Sequence, residues 1–380
     1  MKLKTWHLFL VIVILFVCSF YVVNLKFDKF FRVNGINNDN RVLIEKYLDK
    51  NEQTYLIDNQ ISIDLFIEYI DKDDFHLENY QYYNYLKDTK RYKKKDDILN
   101  IGNSLATRLN YLFNNQAFEN AKTLIDAHLE MDFLNEEKFQ FDYINIYTYM
   151  KRIYNDGDSS YIEDTERCIQ FLNIQGIEKL SEIEEKMNML TNAYSKEALI
   201  SLMNTPLKED IQIVYNPYEL STLVDHSHYI GLYEPNDLLL CQDIPRLSYA
   251  MYLQSDAYHA LLKMYQDLSQ EYEGFLLRKA YVSAQEQEGD KVGYDEYQLG
   301  LTITISKSQT NYNDFENTDI SKWLEKHAYE YGYVLRYPKD KASITNHRYD
   351  SHVYRYVGKS LAKSLYDSHL TLEEFVAKEK

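Results

Sequence analysis

Acids and imidazoles gather near the C-terminus of this 380-residue chain, where His347, Asp350 and His352 fall close together. A second pair, His226 and His228, stands in the run Val224-Asp225-His226-Ser227-His228. Imidazoles are common metal ligands, and two of them at i, i+2 share one face of a strand, which is a weak zinc signal. Ordinary loop or surface histidines account for the same pattern. His352 and Val353 are neighbours, so within a strand they point to opposite faces unless a bulge intervenes. No Ser/His/Asp or Cys/His constellation stands out, and no glycine-rich loop is built to cradle a phosphate.

Three blocks surround these groups in order along the chain. The first runs Leu277-Arg278-Lys279-Ala280-Tyr281-Val282-Ser283 and on to Gln287. The second is Gly293 to Ile305, and the third is Tyr349 to Gly358, preceded by Leu335-Arg336-Tyr337-Pro338. Together they resemble the zinc D-alanyl-D-alanine carboxypeptidases that trim bacterial peptidoglycan, over about residues 210–378.

The resemblance carries its own expectations, position by position. In the first block the family reads Ser-Gly-Tyr-Arg-Ser with a Gln a few residues on. Tyr281, Ser283 and Gln287 match, while the Arg that contacts substrate and the polarised carbonyl falls on Val282. In the second block the family reads Ser-x-His-x-x-Gly-x-x-x-Asp. Gln298, Gly300 and Leu301 fit that framework, but the two zinc ligands fall on Tyr297 and Thr304. In the third, the family reads Tyr-Glu-Pro-Trp-His-Tyr-Arg-Tyr-Val-Gly, so the general base becomes Asp350 and the last zinc ligand becomes Val353. Tyr354 to Gly358 match.

A catalytic zinc needs about three protein ligands and an open water position, and that water, with its lowered pKa, is the nucleophile. Tyrosine, threonine and valine are poor replacements, so no zinc and no other cofactor is expected here. The resemblance therefore implies a retained groove with its chemistry removed. Its candidate binding residues are Tyr281, Ser283, Gln287, Tyr297, Thr304, Asp350 and Arg355. Tyr281 and Arg355 can equally serve as framework holding strands together.

The elements that must position these residues show in the residue pattern. Proline is absent before Pro206, and helical periodicity fills that stretch. Asp96 and Asp97 offer an N-cap, after which Ile98, Ile101, Leu105, Leu109 and Leu112 share a helical face. Phe139, Tyr143, Ile146, Met150 and Ile153 repeat the spacing. Beyond about residue 210 the texture changes. Ile211 to Val214 and Phe275 to Leu277 read as strands, and Ala257, Leu261, Met264 and Leu268 as a helix. Gln298 to Ser306 alternates as a strand with Leu299, Leu301, Ile303 and Ile305 on one face. Trp323 to Tyr331 is helical and stopped by Gly332, Val353 to Val357 is a strand, and Leu372 to Val376 belongs to a closing helix. The fold class expected is α+β, a C-terminal antiparallel-sheet domain preceded by an all-helical region. The boundaries expected are 1–28 for an anchor, 29–209 for the helical region and 210–380 for the peptidase-like domain.

Composition narrows the setting. A formal charge of −17 excludes nucleic acid as a ready partner, because phosphate binding needs a concentrated cationic surface. The 37 tyrosines are spread along the chain, which reads as packing rather than a stacking platform. Cys18, Cys168 and Cys241 have no metal-ligand spacing; the last two read equally as one disulfide or as two buried thiols. Residues 6–23 carry no formal charge and nearly span a bilayer core, with no small-x-small cleavage site after Val23. The expectation is a single-pass membrane anchor with the bulk of the chain extracellular, although Lys2 and Lys4 before it and Lys26, Lys29 and Arg32 after it leave orientation unset by charge. The function expected is an inactive carboxypeptidase homologue that binds a peptidoglycan stem peptide or a cell-wall protein. The alternative is a peptidase of the same type with a remodelled active site.

Overall fold

The computed structural model describes residues 5–27, 29–206 and 211–379. They pack as two compact units, Met1–Ile144 and Asn145–Lys380.

The first unit is helical. Its leading helix, Thr5–Phe27, contains the run Trp6–Val23, which is long and apolar enough to cross a membrane and is not buried within the protein. A signal sequence has the same composition. Further along, helix Lys95–Phe113 buries Ile98, Ile101, Leu105 and Leu109 as their spacing predicts. Leu112 lies beyond the packed core and is 50% exposed. The helix begins just ahead of Asp96, so Asp96 and Asp97 sit inside its first turn and the capping position is Lys94. The two acids therefore act on the positive end of the helix dipole instead of capping it. Gly102 is required by packing: a Cβ there would meet Tyr83 Cδ1 at 2.6 Å, so bare backbone lets the buried Tyr83 ring lie on the helix.

The helix expected over 139–153 is shorter than its pattern, with a 3-10 turn at Phe141–Tyr143 followed by helix Ile144–Lys151. In the second unit, helices Tyr161–Ile174, Leu180–Ala193 and Lys196–Asn204 precede the sheets. Tyr194, at the end of one of them, donates from its hydroxyl to the Val214 carbonyl at 2.6 Å, just past the two-residue strand Gln212–Ile213 that stands where Ile211 to Val214 was expected. Cys168 and Cys241 are buried free thiols.

The main sheet has four antiparallel strands: β1 Phe275–Lys279, β2 Thr302–Lys307, β3 Tyr333–Tyr337 and β4 Asp350–Tyr356, in the order β1-β2-β4-β3. With helices and antiparallel strands in one chain, the architecture is α+β, as the patterns predict. Helix Ser255–Leu268 buries Ala257, Leu261, Met264 and Leu268. Helix Asp319–His327 is capped by Thr318, whose side chain accepts from the Ser321 N–H. It runs into a 3-10 turn that Gly332 ends at φ +89°.

Strand β2 departs from the expected alternation. Glu296–Leu299 is a 3-10 turn closed by Gly300 at φ +67°, and the strand starts only at Thr302. Both faces of Thr302 to Ser306 are buried. The threonines thus face interior polar groups rather than water: Thr302 Oγ1 donates to Glu296 Oε1 at 2.8 Å.

Candidate functional site

Strand pairing assembles the site. Thr304 on β2 stands opposite Val353 on β4 and, on its other side, opposite Lys279 at the end of β1, past a bulge at Leu277/Lys279. Directly paired residues in an antiparallel sheet show their side chains on the same face. Lys279, Thr304 and Val353 therefore form one row across three strands. The turn before β2 swings Tyr297 over this row, and its hydroxyl lies 2.5 Å from Thr304 Oγ1. The Lys279 ammonium sits 3.6 Å from the Tyr297 ring centroid and 3.2 Å from Asp295 Oδ2.

These residues line a cleft of about 500 Å³. Asp225, His226, Lys291, Tyr294, Tyr337, His347 and Asp350 also line it. The His347 ring stacks on Tyr337 with centroids 3.9 Å apart. Burial pushes the Tyr297 phenol far above its ordinary range, despite its hydrogen bond with Thr304, so it stays a neutral hydroxyl.

A buried ion cluster underpins the cleft. Glu296 accepts from Arg336 Nε at 2.6 Å and pairs with Arg355 Nη1 at 3.1 Å. Arg355 is fully buried and also donates to the Thr222 carbonyl at 3.2 Å. Burial alone raises the Glu296 carboxyl, but the two guanidinium charges and the Arg336 and Thr302 hydrogen bonds outweigh it and hold the group below its usual range.

The sequence-derived candidates divide between cleft and framework. Tyr297, Thr304, Asp350 and Val353 come together in the cleft. Arg355 lies in the ion cluster, outside the cleft lining. Tyr281 is half-buried with its hydroxyl unpartnered, and burial pushes that hydroxyl up to about 12. Ser283 caps a 3-10 turn through Glu286 at 2.8 Å, and Val282 donates its N–H to the Tyr297 carbonyl at 3.3 Å. Gln287 bonds Gln298 at 2.9 Å, which in turn donates to the Gly231 and Tyr233 carbonyls. The first block thus shapes the loop that carries Tyr297.

The histidines divide: His226 and His347 border the cleft, whereas His228 and His352 are outside its lining. His352 is buried, with Nδ1 2.7 Å from the Ile305 carbonyl, Nε2 3.0 Å from the Tyr312 carbonyl, and Tyr312 stacked on its ring at 3.7 Å. His226 and His228 do not share a strand face. Asp225 accepts from the Ser227 and His228 N–H groups at 2.8 and 3.1 Å and folds the segment into a turn, leaving only His228–Tyr229 as strand. His228 Nδ1 then lies 2.9 Å from Asp225.

Three residues that sequence reasoning missed belong to the site: Lys279, Asp295 and Glu296. The signal for the turn was Gly300, whose left-handed conformation ends the element holding Asp295's neighbours. Zinc is held by thiolate, imidazole or carboxylate, whereas Tyr297, Thr304 and Val353 offer a phenol, an alcohol and a hydrocarbon, so they do not fit that ion. Among the described residues, no three His, Cys, Asp or Glu side chains gather as a metal site.

Residues 279–359 match the VanY family of D-alanyl-D-alanine carboxypeptidases. The chain is 30% identical over 226 residues to "Putative carboxypeptidase YodJ" of Bacillus subtilis (strain 168), spanning 52% of this chain and 81% of that protein. It is 34% identical over 84 residues to a D-alanyl-D-alanine carboxypeptidase of Enterococcus faecium, spanning 22% of this chain and 27% of that one. Among solved structures, the LdcB LD-carboxypeptidase aligns with a TM-score of 0.42 and 28% identity over 46% of this chain and 92% of its own.

Proposed function

The chain belongs to the D-alanyl-D-alanine carboxypeptidase family, and from that membership we propose that it is a catalytically inactive member which binds a cell-wall peptide in the cleft. The observation that carries this reading is the hydrogen bond between Tyr297 and Thr304 beside Val353. The three positions that the family resemblance assigns to zinc ligands converge, yet they hold a neutral phenol, an alcohol and an isopropyl group. Without the ion there is no water of lowered pKa to attack a peptide bond. Val282 supplies no cation for a developing oxyanion, and Asp350 stands where the general base is expected, one methylene short.

The binding half of the proposal rests on the cleft itself. Its lining is part polar and part apolar, and it carries both charges. The cleft is of the size and mixed lining that small-ligand and peptide sites share. Helix Thr5–Phe27 is proposed to anchor the chain in the membrane, with the bulk outside where wall peptide is found.

Full-length protein in detergent supplies the test. Bound zinc is measured by metal analysis, and D-alanine release from a pentapeptide ending in D-alanyl-D-alanine is followed alongside binding of the same peptide. The expected result is binding without zinc and without release. Stoichiometric zinc or clear turnover sinks the inactive reading; absence of binding sinks the cell-wall peptide.

A further inference from the structure

The acids facing the cleft are largely answered from within the protein. Glu296 is paired with Arg336 and Arg355. Asp225 is engaged by Ser227 and His228. Asp295 takes the Tyr297 N–H at 2.9 Å and one contact from Lys279. Lys279 is different. Its side chain is 41% exposed, and an ammonium has three N–H donors. Asp295 takes one of them, and the Tyr297 ring face receives the charge from another direction. A donor is left for a ligand.

The hydroxyl pair beside it points the same way. Tyr297 and Thr304 carry one hydroxyl proton each, and the contact between their oxygens uses only one of the two. The other proton is available to an acceptor in the cleft. A cation and a spare hydroxyl donor therefore meet at the row Lys279–Thr304–Val353. Lys291 adds a second positive charge to the lining. Asp350, whose Oδ1 accepts from the His352 N–H, is also in the lining and disfavours an anion beside itself.

Resting on the peptide-binding reading above, we infer that Lys279 is the anion-recognising residue of the cleft and takes a carboxylate of the bound peptide. The positive charge that a metal would bring to this site is here supplied by the chain itself, in the same row of the sheet. The carboxylate has two possible sources in a peptide, the C-terminus or a side chain, and the experiment separates them.

Calorimetry on the detergent-solubilised full chain uses three peptides: a pentapeptide ending in D-alanyl-D-alanine, its C-terminal amide, and the acid with any side-chain carboxylate amidated. One of the two amidations is expected to weaken binding about tenfold, the scale of losing one charge-assisted hydrogen bond, and it identifies the source. In Lys279→Gln that discrimination falls to about one, and in Lys279→Arg it survives, since a guanidinium also pairs with a carboxylate. Unfolding curves on both variants confirm that they remain folded. Equal binding of all three peptides to the wild-type chain overturns the inference and leaves the peptide-binding function standing, as does discrimination that persists in Lys279→Gln. Failure of all three peptides to bind overturns the function itself, and the inference falls with it.

Discussion

The Tyr297 hydroxyl and the Thr304 Oγ1, both in the cleft lining, share a hydrogen bond of 2.5 Å. Thr304 is 8% exposed, so water does not readily replace its partner. Tyr297→Phe leaves that hydroxyl without its bond, and a buried polar group left unsatisfied costs about 1–3 kcal/mol. The ring face that receives Lys279 stays. The expected outcome is a lower urea midpoint with ligand binding weakened only modestly. An unchanged midpoint means that the pair contributes no stability.

Restoring donors tests the proposed correspondence with the family. In the triple variant Tyr297→His, Thr304→Asp and Val353→His, the strand pairing places one imidazole and one carboxylate opposite each other on β2 and β4, with the second imidazole swung over them. Three such donors satisfy the usual requirement of a catalytic zinc site. The expected outcome is about one zinc per chain by metal analysis after dialysis, with none retained by the wild type. A folded triple variant that takes up no zinc shows that these positions do not converge as metal ligands do.

Glu296 is the keystone of the framework. It answers Arg336 and Arg355 together, and all three side chains are nearly or fully buried. Glu296→Gln keeps the shape but removes the carboxylate that, among the described residues, pairs with Arg355, while Arg336 retains Glu373 at 2.7 Å. Breaking a buried pair by removing one partner costs about 3–5 kcal/mol. Chemical denaturation should register a loss of that size. A loss under about 1 kcal/mol, as for a surface pair, contradicts the buried cluster.

Much of the scaffold was legible because it depends on local pattern. The helix over Ala257 to Leu268 follows from a spacing of four, three and four, and the stop at Gly332 from a residue that tolerates φ +89°. A Cβ at Gly332 would also meet the Tyr356 ring at 2.8 Å. The site was legible only in part. Which residues share the row is decided by register between strands far apart in sequence, and a bulge at Leu277/Lys279 shifts it, so no spacing rule identifies Lys279. The turn at Glu296–Leu299 was hidden because Leu299 and Leu301 continue the alternation of the strand that follows. The His226-Ser227-His228 spacing, weak as a zinc signal, shares no strand face for a related reason: an Asp side chain that captures two backbone N–H groups makes a turn where alternation alone reads strand.

Acid stability draws on this cluster and on Asp225. The Glu296 carboxyl is held below its usual range by Arg336 and Arg355 against the opposing effect of burial. The Asp225 carboxyl is likewise depressed, with burial again opposed, by the hydrogen bonds from His228 and Ser227 and the charge of the former. A carboxyl whose folded pKa lies below its unfolded one contributes stability that is fully present above the unfolded value, about 4, and that drains away as pH falls through the folded value. The protein should therefore hold its urea midpoint from neutral pH down to about pH 5 and lose stability progressively below about pH 4. Glu296→Gln removes the Glu296 contribution and leaves those of Asp225 and the other depressed carboxyls. Its midpoint should start lower at neutral pH and fall less steeply through the acid range, so that the two curves converge. Parallel curves would place the acid sensitivity elsewhere, in carboxylates outside the cluster.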